Sequence, residues 1–417
     1  MQSSTEAELK PEKFDFINGI RGIAAIQVVL LHYCAFFLPA LARVQPKGHF
    51  PWEEKLTNTP LYFLIDGQNA VSLFFIMSGF VLTPAFANAK SSIQNSISKR
   101  FIRLFVPVVA SVILAMALIA LLGGEHTSAA AVTGSGWGSA LIALTPSLPQ
   151  MAREIFLNSM LVGYQSVSFL SVIPGINEHL TSVIKSPNSP MWTLHIELWG
   201  SMLILATALM HKHFKSIIFW PLFLAVVLFL GSSRYNLFLV GFIFYLHRNV
   251  FLISSSKLRN LLGLAFIACG IAASASTSTF LADMALSAFK TITFTNQDTS
   301  AELKTEITAL LIFTGIMLSS PIKRLMEAPL AQVAGRLSFS IYLIHFPILF
   351  TITAFLFNHS VNRLGYLPSV GVSSVCGLAV TFGMATLFDR FVDLKSISLS
   401  RRLTTSSKNK TSRNAVI

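Results

Sequence analysis

Between residues 16 and 388, charges, proline–glycine clusters and polar loops cut the chain into ten apolar stretches. They lie at about 16–38, 61–87, 103–123, 191–211, 216–232, 234–248, 259–277, 305–321, 337–357 and 366–388. An α-helix needs about 20 apolar residues to cross the hydrocarbon of a bilayer. Within that hydrocarbon, only structures that satisfy every backbone N–H and C=O internally persist. The pattern predicts an all-α, polytopic helical bundle of about ten transmembrane helices. The fifth and sixth stretches are short for spans, and 151–173 is a moderately apolar segment that reads as interfacial, re-entrant or an eleventh element. The first run follows Lys10 and Lys13, passes twenty residues and has no small-x-small cleavage pattern, so it reads as a span and not a signal peptide. Only 12% of the 417 residues are charged, against roughly 25% in soluble domains, which excludes an ordinary soluble enzyme. The expected organisation is a transmembrane domain over 1–390 and a basic, disordered tail over 391–417.

A net charge of +13 would suggest nucleic-acid binding in a soluble protein. Cytoplasmic loops of polytopic proteins, however, collect Lys and Arg. With the N-terminus inside, the inner segments hold 21 Lys and Arg against 7 Asp and Glu, and the outer ones 9 against 10. The basic excess is thus topological, both termini are expected in the cytoplasm beside anionic membrane lipid, and a nucleic-acid partner loses its motive. Cys34, Cys269 and Cys376 all lie inside apolar runs, so neither a disulfide framework nor a cysteine zinc site is expected, and no metal is assigned.

An ion inside hydrocarbon costs roughly 2.5–3.5 kcal/mol on insertion scales, so those retained there are functional candidates. Arg21 stands about one turn into the first span, between Gly19 and Gly22. His32 follows eleven residues later; at 100° per residue the two share one helix face about 16 Å apart. The structural alternative is an arginine reaching the headgroups and a histidine bonded to a neighbouring helix. Glu197 lies six residues inside a helix entering from the outer side after Pro187 and Pro190. Counted from the helix ends, Glu197 and His32 are both about 9 Å deep, a match that permits a His–Glu pair in which the carboxylate orients the imidazole as a base. Arg100 and Arg103 are i and i+3 at the inner mouth of the third helix, where a pair of guanidinium forks suits phosphate, although basic flanks are common at cytoplasmic ends. The segment LFFIMSGFVLTP (73–84) reads as an aromatic helix broken at Ser78-Gly79 and closed by Pro84, and GRLSFSIYLIHFPILF (335–350) places Tyr342 and His345 within a span. No phosphate-binding glycine loop, zinc-protease motif, nucleophile elbow or dinucleotide fingerprint is present, which argues against ATP-energised transport within this chain.

Together these segments resemble the acyltransferase-3 family of polytopic membrane acyltransferases. FDFINGIRGIAAIQVVLLHY is similar to that family's opening helix with its Arg and, eleven residues on, His. LFFIMSGFVL is similar to its phenylalanine-rich Ser-Gly-Phe segment, KRFIRLFVP to its Arg-x-x-Arg segment, SPMWTLHIEL to its Trp-Ser/Thr-Leu-x-x-Glu segment, and GRLSFSIYLIHFPI to its late Ser-Tyr-Leu-x-His segment. The five occur in order over about residues 14–390. The departures are Asn18 at a variable place and HIEL where many members carry two consecutive acids. No SGNH-type esterase domain follows the last span, which leaves open a separate extracytoplasmic partner protein.

The resemblance implies transfer of an acyl group, commonly acetyl from acetyl-CoA, to a hydroxyl of a glycan or other acceptor, with no permanently bound cofactor and a multi-pass location in the plasma membrane. It makes His32 the base or acyl relay, Arg21 its partner, Glu197 a catalytic-site acid, Arg100 and Arg103 donor-phosphate contacts, and Trp192, Tyr342 and His345 substrate contacts. The alternative is a proton-coupled transporter using Glu197, His32 and His345 as a relay. The inverted repeats expected of many transporters are not evident in the sequence.

Overall fold

The computed structural model describes residues 14–87, 92–140, 147–252, 256–292 and 299–403. Ten apolar helices occupy the ten expected stretches: α1 (Asp15–Phe37), α2 (Gly67–Ala87), α3 (Ile93–Leu122), α4 (Trp192–His213), α5 (Ser216–Leu230), α6 (Tyr235–Leu246), α7 (Lys257–Ala275), α8 (Ser300–Leu318), α9 (Pro329–Leu364) and α10 (Tyr366–Leu403). Seven are long and apolar enough to cross a membrane; α8 joins them if its 100° bend into Ser320–Met326 is counted within one span. The short α5 and α6 complete the set. No strand element occurs among the described residues, so the chain is an all-α membrane bundle.

Several boundaries move. α3 starts at Ile93 and not near 103, which puts Arg100 and Arg103 inside the helix and not at its mouth. α2 is unbroken at Ser78-Gly79 and runs through Pro84. Its glycine has a different use: a Cβ on Gly79 would lie 2.0 Å from the Phe238 carbonyl oxygen, and one on Gly241 would lie 2.1 Å from that of Ile76, so α2 and α6 cross backbone to backbone. The expected domain boundary at 390 falls inside α10, which stays helical to Leu403; the remainder of the tail lies outside the described residues.

Two helix groups share α1. On one side α2 packs against α4, α6 and α8, around Phe75, Phe80, Phe238, Phe242 and Phe313. On the other side α9 packs against α3 and α10, around Phe346, Phe350, Phe357 and Phe388. Helix association in lipid depends on close packing more than on solvent exclusion. Small residues carry the α1–α9 contact: a Cβ on Gly22 would meet Gly335 N at 2.5 Å, and one on Gly335 would meet Asn18 O at 2.1 Å.

The segment 147–191 forms no span. It is a helix Leu148–Arg153, a π turn Glu154–Asn158 and short 3₁₀ turns, folded onto the outer ends of the bundle. At its centre Glu154 is buried and accepts hydrogen bonds from Ser186 Oγ (2.5 Å), Asn158 Nδ2 (2.9 Å), Ser159 Oγ (3.5 Å) and the Tyr164 hydroxyl. Burial pushes the Glu154 carboxyl above its ordinary range, and those four donors oppose the shift. Glu154→Ala is expected to destabilise the protein by about 3 kcal/mol, because several buried donors lose their acceptor. A thermal unfolding midpoint indistinguishable from wild type would exclude this account.

The end of the segment dips into the bundle. Asn188 Nδ2 donates to the Leu343 carbonyl (2.7 Å), as does Ser111 Oγ (2.7 Å). That carbonyl needs partners because Pro347, four residues on, has no N–H to offer it. Irregular backbone at membrane depth is tolerated where protein buries it. α4 therefore begins inside the bundle, with the Pro190 carbonyl beside Tyr342.

Candidate active site

An open-ended cavity of about 510 Å³ lies between the two helix groups, with walls from α1, α2, α3, α4, α9 and α10. Arg21, Arg100, Arg103 and Arg336 line it together with Glu197, Asp389 and Asp393. Arg336 is exposed at the end where the charge count places the cytoplasm. Glu197 forms an ion pair with Arg100 and accepts a hydrogen bond from Ser78 Oγ (2.8 Å). Arg100 Nε is buried without a hydrogen-bond partner among the described residues. Arg103 lies one helical turn on, and Arg21 projects from α1 into the same space. Four guanidinium groups against three carboxylates leave the lining one positive charge in excess, which suits an anionic guest.

Tyr342 closes the outer end of the cavity. Its hydroxyl donates to the Pro190 carbonyl (2.9 Å) and lies 2.7 Å from Thr193 Oγ1, and its ring packs edge-on against Phe74.

Beyond this layer His345 and His32 meet, with Nε2 of His345 2.9 Å from Nδ1 of His32. Both stand ten residues beyond the glycines where α1 and α9 touch, Gly22 and Gly335. Ten residues is a heptad plus three, a spacing that stays on the seam of two helices running the same way and rises about 15 Å. The partners settle the tautomers of the neutral pair. His345 Nδ1 faces the carbonyls of Tyr342 (2.8 Å) and Ile341 (3.1 Å), so it carries the proton. His345 Nε2 then accepts from His32 Nδ1–H, and His32 Nε2 keeps its lone pair. His345 is fully buried and His32 half-buried. The His32 ring stacks on Trp137 (centroids 5.6 Å apart, planes at 19°) and meets Phe346 edge-on.

Trp137 went unnoticed in the sequence, where a lone tryptophan in GSGWGSA looks like a loop residue. In the structure it lies in a short helix, Gly136–Ala140, pinned on α1 by the preceding Ser135, whose Oγ donates to the Ala35 carbonyl (2.7 Å) and accepts from Gly138 N (3.0 Å).

The predicted residues thus separate into two places. Arg21, Arg100, Arg103 and Glu197 share the inner cavity with Tyr342, while His32 pairs with His345 on the outer side of Tyr342. The expected His32–Glu197 pair is absent. The matching depths assumed that α4 starts at the membrane surface, whereas it starts beside Tyr342, so Glu197 lies one layer further in. Trp192 does not line the cavity either; it lies beneath the Arg234 guanidinium (4.8 Å to the ring centroid), which is itself paired with Glu302. Among the described residues no group of three or more His, Cys, Asp or Glu could hold a metal.

No curated protein and no solved structure matches the chain. One family model does, over residues 14–387, which contain α1 to α9, most of α10, His32, His345 and all four cavity arginines. Its description is an acyltransferase domain, and the chain accordingly belongs to the acyltransferase-3 family of membrane acyltransferases.

Proposed function

We propose that the protein is a plasma-membrane O-acyltransferase that takes an acyl group, acetyl in the simplest case, from cytoplasmic acyl-CoA. It passes the group to a hydroxyl of a cell-surface polysaccharide or related acceptor. The observation that carries this reading is the order of groups along one axis: a guanidinium-lined cavity on the inner side, one Thr193–Tyr342 layer, and then a histidine with a free Nε2 on the outer side.

In this mechanism Arg21, Arg100 and Arg103 hold the donor's phosphates, and Glu197 fixes the Arg100 fork. The acyl-bearing arm extends past Tyr342, over the roughly 16 Å that separates Arg21 from His32. His32 Nε2 takes the proton of the acceptor hydroxyl as its oxygen attacks the thioester carbonyl. The C–S bond breaks, and the imidazolium returns the proton to the departing thiolate. His345 acts as a positioning residue that holds His32 in the competent tautomer and shares the developing charge. A Glu197–His32–His345 proton relay, which coupled transport would use, is not formed, because Glu197 is engaged by Arg100 and Ser78 while His32 pairs with His345.

Mass spectra of surface polysaccharide from cells with and without the gene should differ by one acyl group. Unaltered substrate moving with a pH gradient, and no acylated product, would favour transport instead. Within the enzyme, Arg103→Ala is expected to raise the donor KM about 10-fold or more, the worth of one charge-assisted hydrogen bond, with a smaller change in kcat. An unchanged KM would remove Arg103 from the donor site.

A further inference from the structure

Two carboxylates of the cavity have no part in the mechanism above. Asp389 and Asp393 lie on the cytoplasmic stretch of α10, beyond the residues matched by the family, where a π turn spans Asp389–Asp393. A π turn inserts an extra residue into the helical ladder and frequently marks a functional site. Asp393 is 8% exposed, lines the cavity, and its Oδ1 has no hydrogen-bond partner among the described residues. Arg21 and Arg103 are within electrostatic reach, yet neither forms an ion pair with it. Asp389 is 3.9 Å from Arg336. A buried carboxylate oxygen without a donor is costly, and a phosphate cannot supply one. What this pole lacks is a hydroxyl or amino group.

We infer that Asp393, on the π turn, is the hydrogen-bond acceptor of the donor site for hydroxyl or amino groups of a nucleoside, in the same cavity as the arginines that take the diphosphate. The inference rests on the reading of this cavity as the donor site and adds to it a basis for choosing a nucleotide carrier over a simple acyl phosphate. Asp389, held by Arg336, flanks the position without being the unpartnered acceptor.

The test is equilibrium binding to full-length protein in nanodiscs, with CoA, ADP and methyl diphosphate as probes. Methyl diphosphate carries the phosphates of ADP without its nucleoside. In wild type, ADP should bind at least about tenfold more tightly than methyl diphosphate, the scale of one hydrogen bond to a charged group; equal affinities overturn the inference without any variant. Asp393→Asn should weaken CoA and ADP about tenfold while leaving methyl diphosphate unchanged or tighter. If all three probes tighten together, Asp393 is only a counter-charge to Arg21 and Arg103, and the inference fails. If wild type binds methyl diphosphate but not CoA, the donor reading itself fails, an outcome distinct from the others.

Discussion

His32→Ala should lower acyl transfer about 10²- to 10⁴-fold, the contribution typical of a positioned general base. The substitution removes one hydrogen bond to His345 and one stacking contact with Trp137, both on the outer side of the Tyr342 layer. The protein should therefore remain folded and bind donor as wild type does, so that kcat falls while the donor affinity measured in nanodiscs does not. Product mass on the acceptor, per amount of purified protein, is the readout. Transfer at wild-type rate would remove His32 from the chemistry. A smaller loss is expected for His345→Gln than for His345→Ala, because the amide retains an acceptor for His32 Nδ1–H. Equal losses would contradict the positioning role.

The largest effect on stability is expected at Glu197. Arg100 and Glu197 are 11% and 16% exposed, and removing one member of a buried pair leaves the other charge uncompensated, at about 3–5 kcal/mol. Glu197→Ala should therefore lower the unfolding midpoint sharply. Arg100→Leu combined with Glu197→Ala should recover much of the loss, since an apolar replacement of both members is often neutral. The double variant then separates the roles: folded, but with donor affinity reduced by the missing guanidinium. If Glu197→Ala alone is as stable as wild type, the pair is not a structural element of the cavity.

Much of this architecture was legible in the residue order. Ten apolar runs predicted ten helices, because length and polarity alone decide whether a segment crosses hydrocarbon. Arg21 and His32 were recognisable because a helix face is set by local geometry, and the costly ions singled themselves out. The partner of His32 was misjudged for a physical reason. Depth counted from a helix end holds only when that end lies at the interface, and α4 starts inside the bundle, where Asn188 and Ser111 satisfy the carbonyl released by Pro347. The correct partner had a signal in the equal spacing from Gly22 to His32 and from Gly335 to His345, but that spacing acquires meaning only once α1 and α9 are known to touch. Trp137 and Asp393 had no such signal. One is placed by a loop hydrogen bond across 100 residues, the other by the continuation of a helix whose polar composition suggested a solvated tail.

The thin layer of Thr193, Tyr342 and Pro190 has an electrical consequence. Where a polar cavity enters from one side and the proposed acceptor position at His32 opens to the other, the low-dielectric distance between the two aqueous phases would shrink to little more than that layer, and much of the membrane voltage would fall across it. One elementary charge crossing such a drop exchanges about 2.3 kcal/mol per 100 mV with the field. An acyl group is neutral and the phosphates of its carrier stay on the arginine side, but in the proposed mechanism the proton of the acceptor hydroxyl leaves with the carrier's thiol, so one positive charge crosses the layer inward in each turnover. Group transfer through this septum would then be favoured by a membrane potential that is negative inside, in energised cells over cells whose potential is collapsed.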